Sequence, residues 1–236
     1  MYLLLIRHGE SLNNRVEAET GVGSNRVPDP ELTELGIQQA ARLADHFAAG
    51  ALPRPDVLLS SLMYRAVATS APIAEALDLP VEGHTLLHEV NGVYEGTFTG
   101  HSTRGVPRPG TAASVLQRAN PRLVLPPQAD ETGWYRRPFE TPGVAAERAR
   151  VVLAELSGRF GTTEQVIAIV SHAWFIQYLL RAAIGWEVGP DGELGTWLEF
   201  SNTGHTLLRS VHNPDFSQVV EWTNRLDHLP ADLVSR

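Results

Sequence analysis

Apolar positions along the chain alternate between short unbroken runs and longer periodic stretches. The run "LLLI" (3 to 6) predicts a buried strand, and it passes directly into Arg7, His8, Gly9 and Glu10. A core accepts such polar groups only at a cost. From 16 to 33 the chain carries Gly, Pro, Asn and Asp without a sustained period and reads as a loop. Thr33 then offers an N-cap, and Leu35, Ile37, Ala40, Ala41, Leu43, Ala44 and Phe47 supply one face of a helix running to about Ala49. "DVLLSS" (56 to 61) predicts a second strand. A second helix follows over 64 to 77, in which Pro72 should impose a kink or an early stop. "VEGHTLL" (81 to 87) alternates as a third strand.

From 97 to 142 the rhythm breaks. That interval is dense in proline and lacks an amphipathic period, which predicts an excursion from the core. A helical pattern resumes over 144 to 160, with Val144, Arg148, Val151, Val152 and Leu156 near one face. "QVIAIVSH" (165 to 172) is a further buried strand, and "AWFIQYLLRAAIG" (173 to 185) is an apolar helix closed by Gly185. "TWLEFSN" (196 to 202) and "HTLLRSV" (205 to 211) flank Thr203 and Gly204 as a hairpin. The tail from His212 carries no pattern that assigns it a role. Strands alternating with helices predict a three-layer α/β/α fold around a mostly parallel sheet. At 236 residues the chain suits a single domain, 1 to 236, with an insertion at about 97 to 142 extending over the active site.

Composition narrows the chemistry. There is no cysteine, which excludes disulfides, thiolate metal sites and a Cys nucleophile, and fits a reducing, cytoplasmic setting. Met1 is followed at once by the apolar run, so neither a signal peptide nor a membrane span is expected. The formal charge of −8 disfavours nucleic acid as the main partner, because a phosphate backbone needs a broad basic face. A small anion in a locally positive pocket remains open. The phosphate loop G-x-x-x-x-G-K-[ST] and the dinucleotide glycine fingerprint are both absent. The sequence leaves oligomeric state open.

Two strands end in a polar cluster containing histidine, at Arg7-His8-Gly9 and at Ser171-His172. Ligands of open α/β sheets bind beyond the carboxyl ends of the strands, which would bring the two imidazoles together. The strand ending at Ser60-Ser61 delivers Arg65 to the same edge, and the next ends beside His88 and Glu89. Two arginines with two histidines suit a tetrahedral phosphate, since guanidinium binds phosphate oxygens through paired hydrogen bonds. A neutral imidazole can attack phosphorus while the fixed cations hold the developing charge. Glu89 is the best-placed carboxyl to protonate a leaving alkoxide. His8, His172 and Glu89 alone would also suit zinc, but two arginines in the same site favour an anion over a cation.

"LLLIRHGES" with Asn14, "DPELTELGIQQA" (29 to 40), "LLSSLMYRAVATSAPIA" (58 to 74), "HEVNGVYEG" (88 to 96) and "IVSHAW" (169 to 174) resemble, in order, the blocks of the histidine phosphatase superfamily, its phosphoglycerate mutase-like branch. The resemblance implies that His8 is a nucleophile forming a phosphohistidine and that Glu89 is the proton donor. It further implies that Arg7, Arg65, His172 and Asn14 bind the phosphate, with no metal and no organic cofactor. The family usually has Gly where this chain has Ala173, which keeps a backbone N–H available, and Trp where this chain has Asn13.

The leading expectation is therefore a phosphomonoester hydrolase acting on a small phosphorylated metabolite. The alternatives are a cofactor-primed phosphoglycerate mutase and a phosphate-binding module without catalysis. Val90-Asn91-Gly92 after Glu89 is closer to the phosphatase pattern than to the basic and aromatic continuation of the mutases. "GWYRRPFET" (133 to 141) keeps the mutase open, because Arg136 and Arg137 could hold a substrate carboxylate. The other reading of that segment is a loop packed by Trp134 and Tyr135 with its arginines in solvent. Tyr94 and Trp174 are candidates for the pocket wall, as are His88 and His101.

Overall fold

The first strand, β1 (Tyr2–Arg7), turns Leu4 and Ile6 into one apolar cluster and Leu3 and Leu5 into another. That is the two-residue period of a strand with both faces buried, so the sheet needs a covering layer on each side. The computed structural model describes residues 1–21, 26–96, 105–215 and 217–236. After β1 come α1 (Leu12–Thr20), α2 (Glu34–Ala48), β2 (Val57–Ser61), α3 (Tyr64–Leu77), β3 (Val81–His84) and β4 (Tyr94–Glu95). Then follow β5 (Val106–Pro107), α4 (Ala113–Ala119), β6 (Leu123–Val124), α5 (Pro142–Phe160) and β7 (Val166–Ser171). The chain closes with α6 (Ala173–Ile184), β8 (His205–Ser210) and β9 (Gln218–Arg225).

The main sheet runs β6-β3-β2-β7-β1-β8-β9. Its first five strands are parallel, while β8 is antiparallel to β1 and β9 to β8. Leu43 and Phe47 of α2 and Ile73 of α3 cover the Leu4 face. Val152 and Leu156 of α5 and Phe175 and Leu179 of α6 cover the Leu3 face. This is the expected three-layer α/β/α arrangement. Because β1, β2 and β7 are parallel neighbours, their carboxyl ends meet on one edge and carry their terminal polar residues with them.

The differences from expectation have local causes. The stretch after β1, read as a loop from 16, is helical from Leu12 to Thr20. Ser11 and Asn14 form a reciprocal capping box, and only Asn13 of α1 is buried, so no apolar stripe advertises this helix. On α2, Thr33 caps Gly36 N–H as expected, but Ile37 is exposed and Gln39 is buried instead. On α5, Arg148, Val152 and Leu156 are buried, whereas Val144 and Val151 face solvent. The helix α3 continues through Pro72 to Leu77.

The hairpin expected around Thr203 and Gly204 does not form. The chain from 196 to 202 is not a strand, and β8 pairs instead with β9, drawn from the tail that had no assigned role. Thr203 N–H donates to the carbonyls of Arg7 and His8, so this turn is tied to the end of β1. The interval expected to leave the core also returns to it. β6 joins the main sheet beside β3, and Trp134 and Tyr135 are buried in the cluster on the α2 and α3 side. His101 and the rest of 97–104 lie outside the described residues. Among the described residues, no helix is long and apolar enough to cross a membrane.

Candidate active site

At the carboxyl edge the sheet delivers His8 from β1, Ser61 from β2 and His172 from β7 to one place. The His8 and His172 rings lie 5.0 Å apart between centroids. Arg65, in the first turn of α3, directs Nε to His8 Nε2 at 3.0 Å. That geometry fixes the proton inventory. Guanidinium only donates, so His8 Nε2 presents a lone pair, while Nδ1 carries the hydrogen donated to Gly9 O at 2.6 Å. His8 is thus a neutral imidazole with its basic nitrogen held towards Arg65. Gly9 lets the end of β1 pack against α2, because a Cβ there would stand 2.5 Å from Gly36 O.

Arg7 and Arg65 are both buried, and Arg7 donates to Phe200 O at 2.6 Å while its Nε has no partner among the described residues. His172 Nε2 lies 2.8 Å from Ser61 Oγ. That oxygen also accepts from Met63 N–H, so the Ser61 hydroxyl ties the His172 ring to the end of β2. Among the described residues, Arg7 Nε is a buried donor without an acceptor, and His172 Nδ1 is buried without a hydrogen-bond partner. An anion brought to Arg7 supplies what its Nε lacks.

Burial depresses the pKa of His8 well below the ordinary value of 6.5, and the charges of Arg65 and Arg7 push it the same way. His172 is lowered by burial first and then by Arg65 and His8. Arg7 falls to about 10, chiefly through burial, and stays charged at neutral pH. Glu89 moves the other way. Burial raises its pKa above 4.5, opposed by Arg65 and by hydrogen bonds from Val90, Trp174 and Phe175. Its Oε1 accepts from Phe175 N–H at 3.0 Å, at the start of α6, where the helix dipole favours negative charge. The site thus holds a neutral base, a carboxyl whose pKa burial raises and two fixed cations.

Several groups that pattern alone did not single out hold this geometry. Asp29 accepts Tyr64 N–H at 2.9 Å and the Thr111 hydroxyl at 2.7 Å, so it caps α3 from another segment. Burial raises its pKa, and the charge of Arg65 opposes the rise. Asn202 Nδ2 donates to His8 O at 3.0 Å. Arg148, on α5, forms a bidentate pair with Glu140 at 2.7 and 2.6 Å and donates to Leu86 O and His88 O. It anchors the turn that presents Glu89. Only Asp29, inside the motif "DPELT", had a signal in the sequence.

A cavity of about 650 Å³ opens from Arg7, His8, Arg65 and Glu89. Asn14, Ala173, Tyr94 and Trp174 are on its wall, although Asn14 Oδ1 is occupied by Ser11. Asn13 pins Val27 through two hydrogen bonds, 2.9 and 3.0 Å long, and both residues line the cavity. His172 and His88 are fully buried and do not line it. Trp134, Arg136 and Arg137 do not line it either. Trp134 is a core residue, Arg137 is exposed, and Arg136 is exposed and paired with Asp130 at 3.0 Å. The arginines of that loop therefore face solvent, as the second reading of the segment held.

The family model of the histidine phosphatase superfamily, branch 1, matches residues 3–224. The chain belongs to the histidine phosphatase superfamily. Within it, the chain is similar to a 2,3-bisphosphoglycerate-dependent phosphoglycerate mutase of Leifsonia xyli, at 31% identity over 56% of this chain and 51% of the relative. An uncharacterized protein of Mycobacterium tuberculosis is 37% identical over 41% of this chain and 44% of its own length. The chain thus spans about half the length of these curated relatives. Solved folds align over nearly the whole chain. Mycobacterial glucosyl-3-phosphoglycerate phosphatase aligns at TM-score 0.60 and 20% identity, over 94% of this chain and 98% of the other. Entamoeba histolytica phosphoserine phosphatase in complex with 3-phosphoglyceric acid aligns at 0.62 and 20%, over 97% and 99%. At these identities the solved structures establish that the histidine phosphatase fold is shared.

Proposed function

We propose that this histidine phosphatase is a phosphomonoester hydrolase working through a phosphohistidine on His8. The observation that carries the reading is the pairing of Arg65 Nε with His8 Nε2 while Nδ1 is held by Gly9 O, which leaves a neutral nucleophile beside a fixed cation. In the first step His8 Nε2 attacks phosphorus, the ester P–O bond breaks, and Glu89 gives its proton to the departing alkoxide. Arg7, Arg65 and Asn14, on the cavity wall, hold the phosphoryl oxygens, and Ala173 offers its N–H from the start of α6, while His172, off that wall, is the ring neighbour of His8 at 5.0 Å. In the second step water gives a proton to the Glu89 carboxylate and attacks phosphorus. The P–N bond breaks, and inorganic phosphate leaves with His8 restored.

The chemistry calls on no metal and no organic cofactor. The cysteine-free composition supports a cytoplasmic setting, and the chain is read as one domain whose 97 to 142 insertion helps cover the site. A mutase reading has the Leifsonia relative in its favour, but Arg136 and Arg137, the expected holders of a substrate carboxylate, are not on the cavity wall. Hydrolysis of an aryl phosphate at mildly acidic pH by the wild type, absent in His8→Ala, is the expected result. Activity in neither form removes the enzyme reading. Isomerisation of 3-phosphoglycerate faster than any ester is hydrolysed reverses the ranking.

A further inference from the structure

The cavity wall beyond the phosphate grip is aromatic in a way that core packing does not explain. Trp174 and Trp197 are 41% and 44% exposed, belong to neither apolar cluster, and meet edge to face with ring centroids 4.8 Å apart. Both line the cavity that holds His8 and Glu89. Trp174 is fixed at the reacting end, since its backbone N–H lies 3.4 Å from Glu89 Oε2. Its main chain therefore adjoins the group assigned to protonate the leaving oxygen, and its indole lines the same cavity. Tyr94 and Phe139 add a second edge-to-face pair to the same wall, 5.1 Å apart.

Charge and size point the same way. Outside the grip, the charged side chains on the wall are balanced, Arg26 and Arg236 against Glu17 and Glu199, and Arg26 is paired with Glu17 at 3.5 Å. Among the described residues, no second pair of free cations lines the wall to hold a substrate carboxylate. A volume of about 650 Å³ exceeds the need of a three-carbon acid and falls in the range, roughly 300–1,000 Å³, of sites that enclose ring-sized ligands. Exposed indoles next to such a space gain by covering a flat ring face.

We infer that the alcohol half of the substrate is a ring, hydroxylated or aromatic, seated on the corner formed by Trp174 and Trp197. The inference rests on the phosphatase reading, and it makes Trp197 a specificity-determining residue. An aromatic contact of this kind is worth about 2- to 10-fold in affinity.

The test measures kcat and KM for phenyl phosphate, glucose 6-phosphate, glycerol 3-phosphate and 3-phosphoglycerate, in the wild type, Trp197→Leu and Trp197→Phe. At least one ring ester should exceed both three-carbon esters in kcat/KM. Trp197→Leu should shrink that ratio about 2- to 10-fold, mainly through KM, and Trp197→Phe should restore part of it. Glucose 6-phosphate in the lead assigns a sugar, and phenyl phosphate with the lower KM assigns an arene. Three-carbon esters turned over at least as well as both ring esters, or a ratio unmoved by Trp197→Leu, would overturn the inference and leave the phosphatase reading standing. Hydrolysis of no ester overturns both.

Discussion

Replacing Arg148 by Met removes a buried cation from four acceptors at once. Its guanidinium binds both oxygens of Glu140 and the carbonyls of Leu86 and His88, and it lies 4.0 Å over the Phe175 ring. Arg148 and Glu140 are each only 4% exposed at the side chain, so the substitution strands a carboxylate in the interior. Breaking a buried pair on one side costs about 3–5 kcal/mol. Urea unfolding of Arg148→Met should show a loss of that size, read as a lower midpoint at unchanged slope. The double variant Arg148→Met with Glu140→Leu removes the stranded charge and should recover most of the stability. It should not recover kcat, because the His88 carbonyl, adjacent to Glu89, has still lost its anchor. A misplaced catalytic group of this kind lowers turnover by about 10- to 100-fold. A single variant destabilised by under about 1 kcal/mol, or a double variant with wild-type kcat, would refute the reasoning.

Other outcomes follow from the same groups. In the proposed mechanism Glu89 serves as the acid with a pKa raised by burial and His8 as a neutral base with a pKa lowered by burial, so turnover should hold on the acid side and fall as pH rises through the Glu89 value. Glu89→Gln should cost about 10²–10⁴ in kcat for alkyl esters and much less for nitrophenyl phosphate, whose leaving group needs no proton. A pH–rate series on both substrates checks this, and an equal loss on the two would contradict the acid role. Asp29→Ala removes the cap of α3 and should cost about 0.5–2 kcal/mol of stability by urea titration, with a rise in KM for phosphate esters as Arg65 loses its neighbour. His205 and His228 are pulled down to about 4 and about 3, mainly by burial. Their folded values lie below the unfolded value near 6.5, so their contribution is full above that pH and fades as pH falls towards 4 and 3. Urea midpoints should therefore drop between pH 7 and pH 4, and the drop should be smaller in His228→Gln.

The parts of the fold that were legible are those that obey a single period. β1, β2, β7 and α6 are apolar because both sheet faces are covered, and their ends are marked by the polar residues that form the site. α1 was hidden because a solvent-facing helix held by the Ser11 and Asn14 capping box has no apolar stripe. β6 is two residues long, too short for any alternation, and its place beside β3 is decided by tertiary packing. The turn at Thr203 and Gly204 carries good hairpin residues, yet the carbonyls of Arg7 and His8 claim its N–H.

The site divides the same way. His8, Arg65, Glu89 and His172 were readable because parallel strands carry their ends to one edge. Asn202 and Ser61 act across large sequence separations, as does Arg148 where it holds the Leu86 and His88 carbonyls, and no spacing reports such contacts. Arg136 and Arg137 illustrate the converse. A pair of adjacent arginines suggests an anion site, but the buried neighbours Trp134 and Tyr135 fix the loop so that Arg136 reaches Asp130 in solvent.

The most direct test of the account is to quench the enzyme during turnover of a phosphate-radiolabelled ester and map the bound label. An acid-labile, base-stable phosphoryl group should appear on His8, formed at a rate that supports kcat and absent from His8→Ala. Steady turnover with no label on His8, or with the label on another residue, would contradict it.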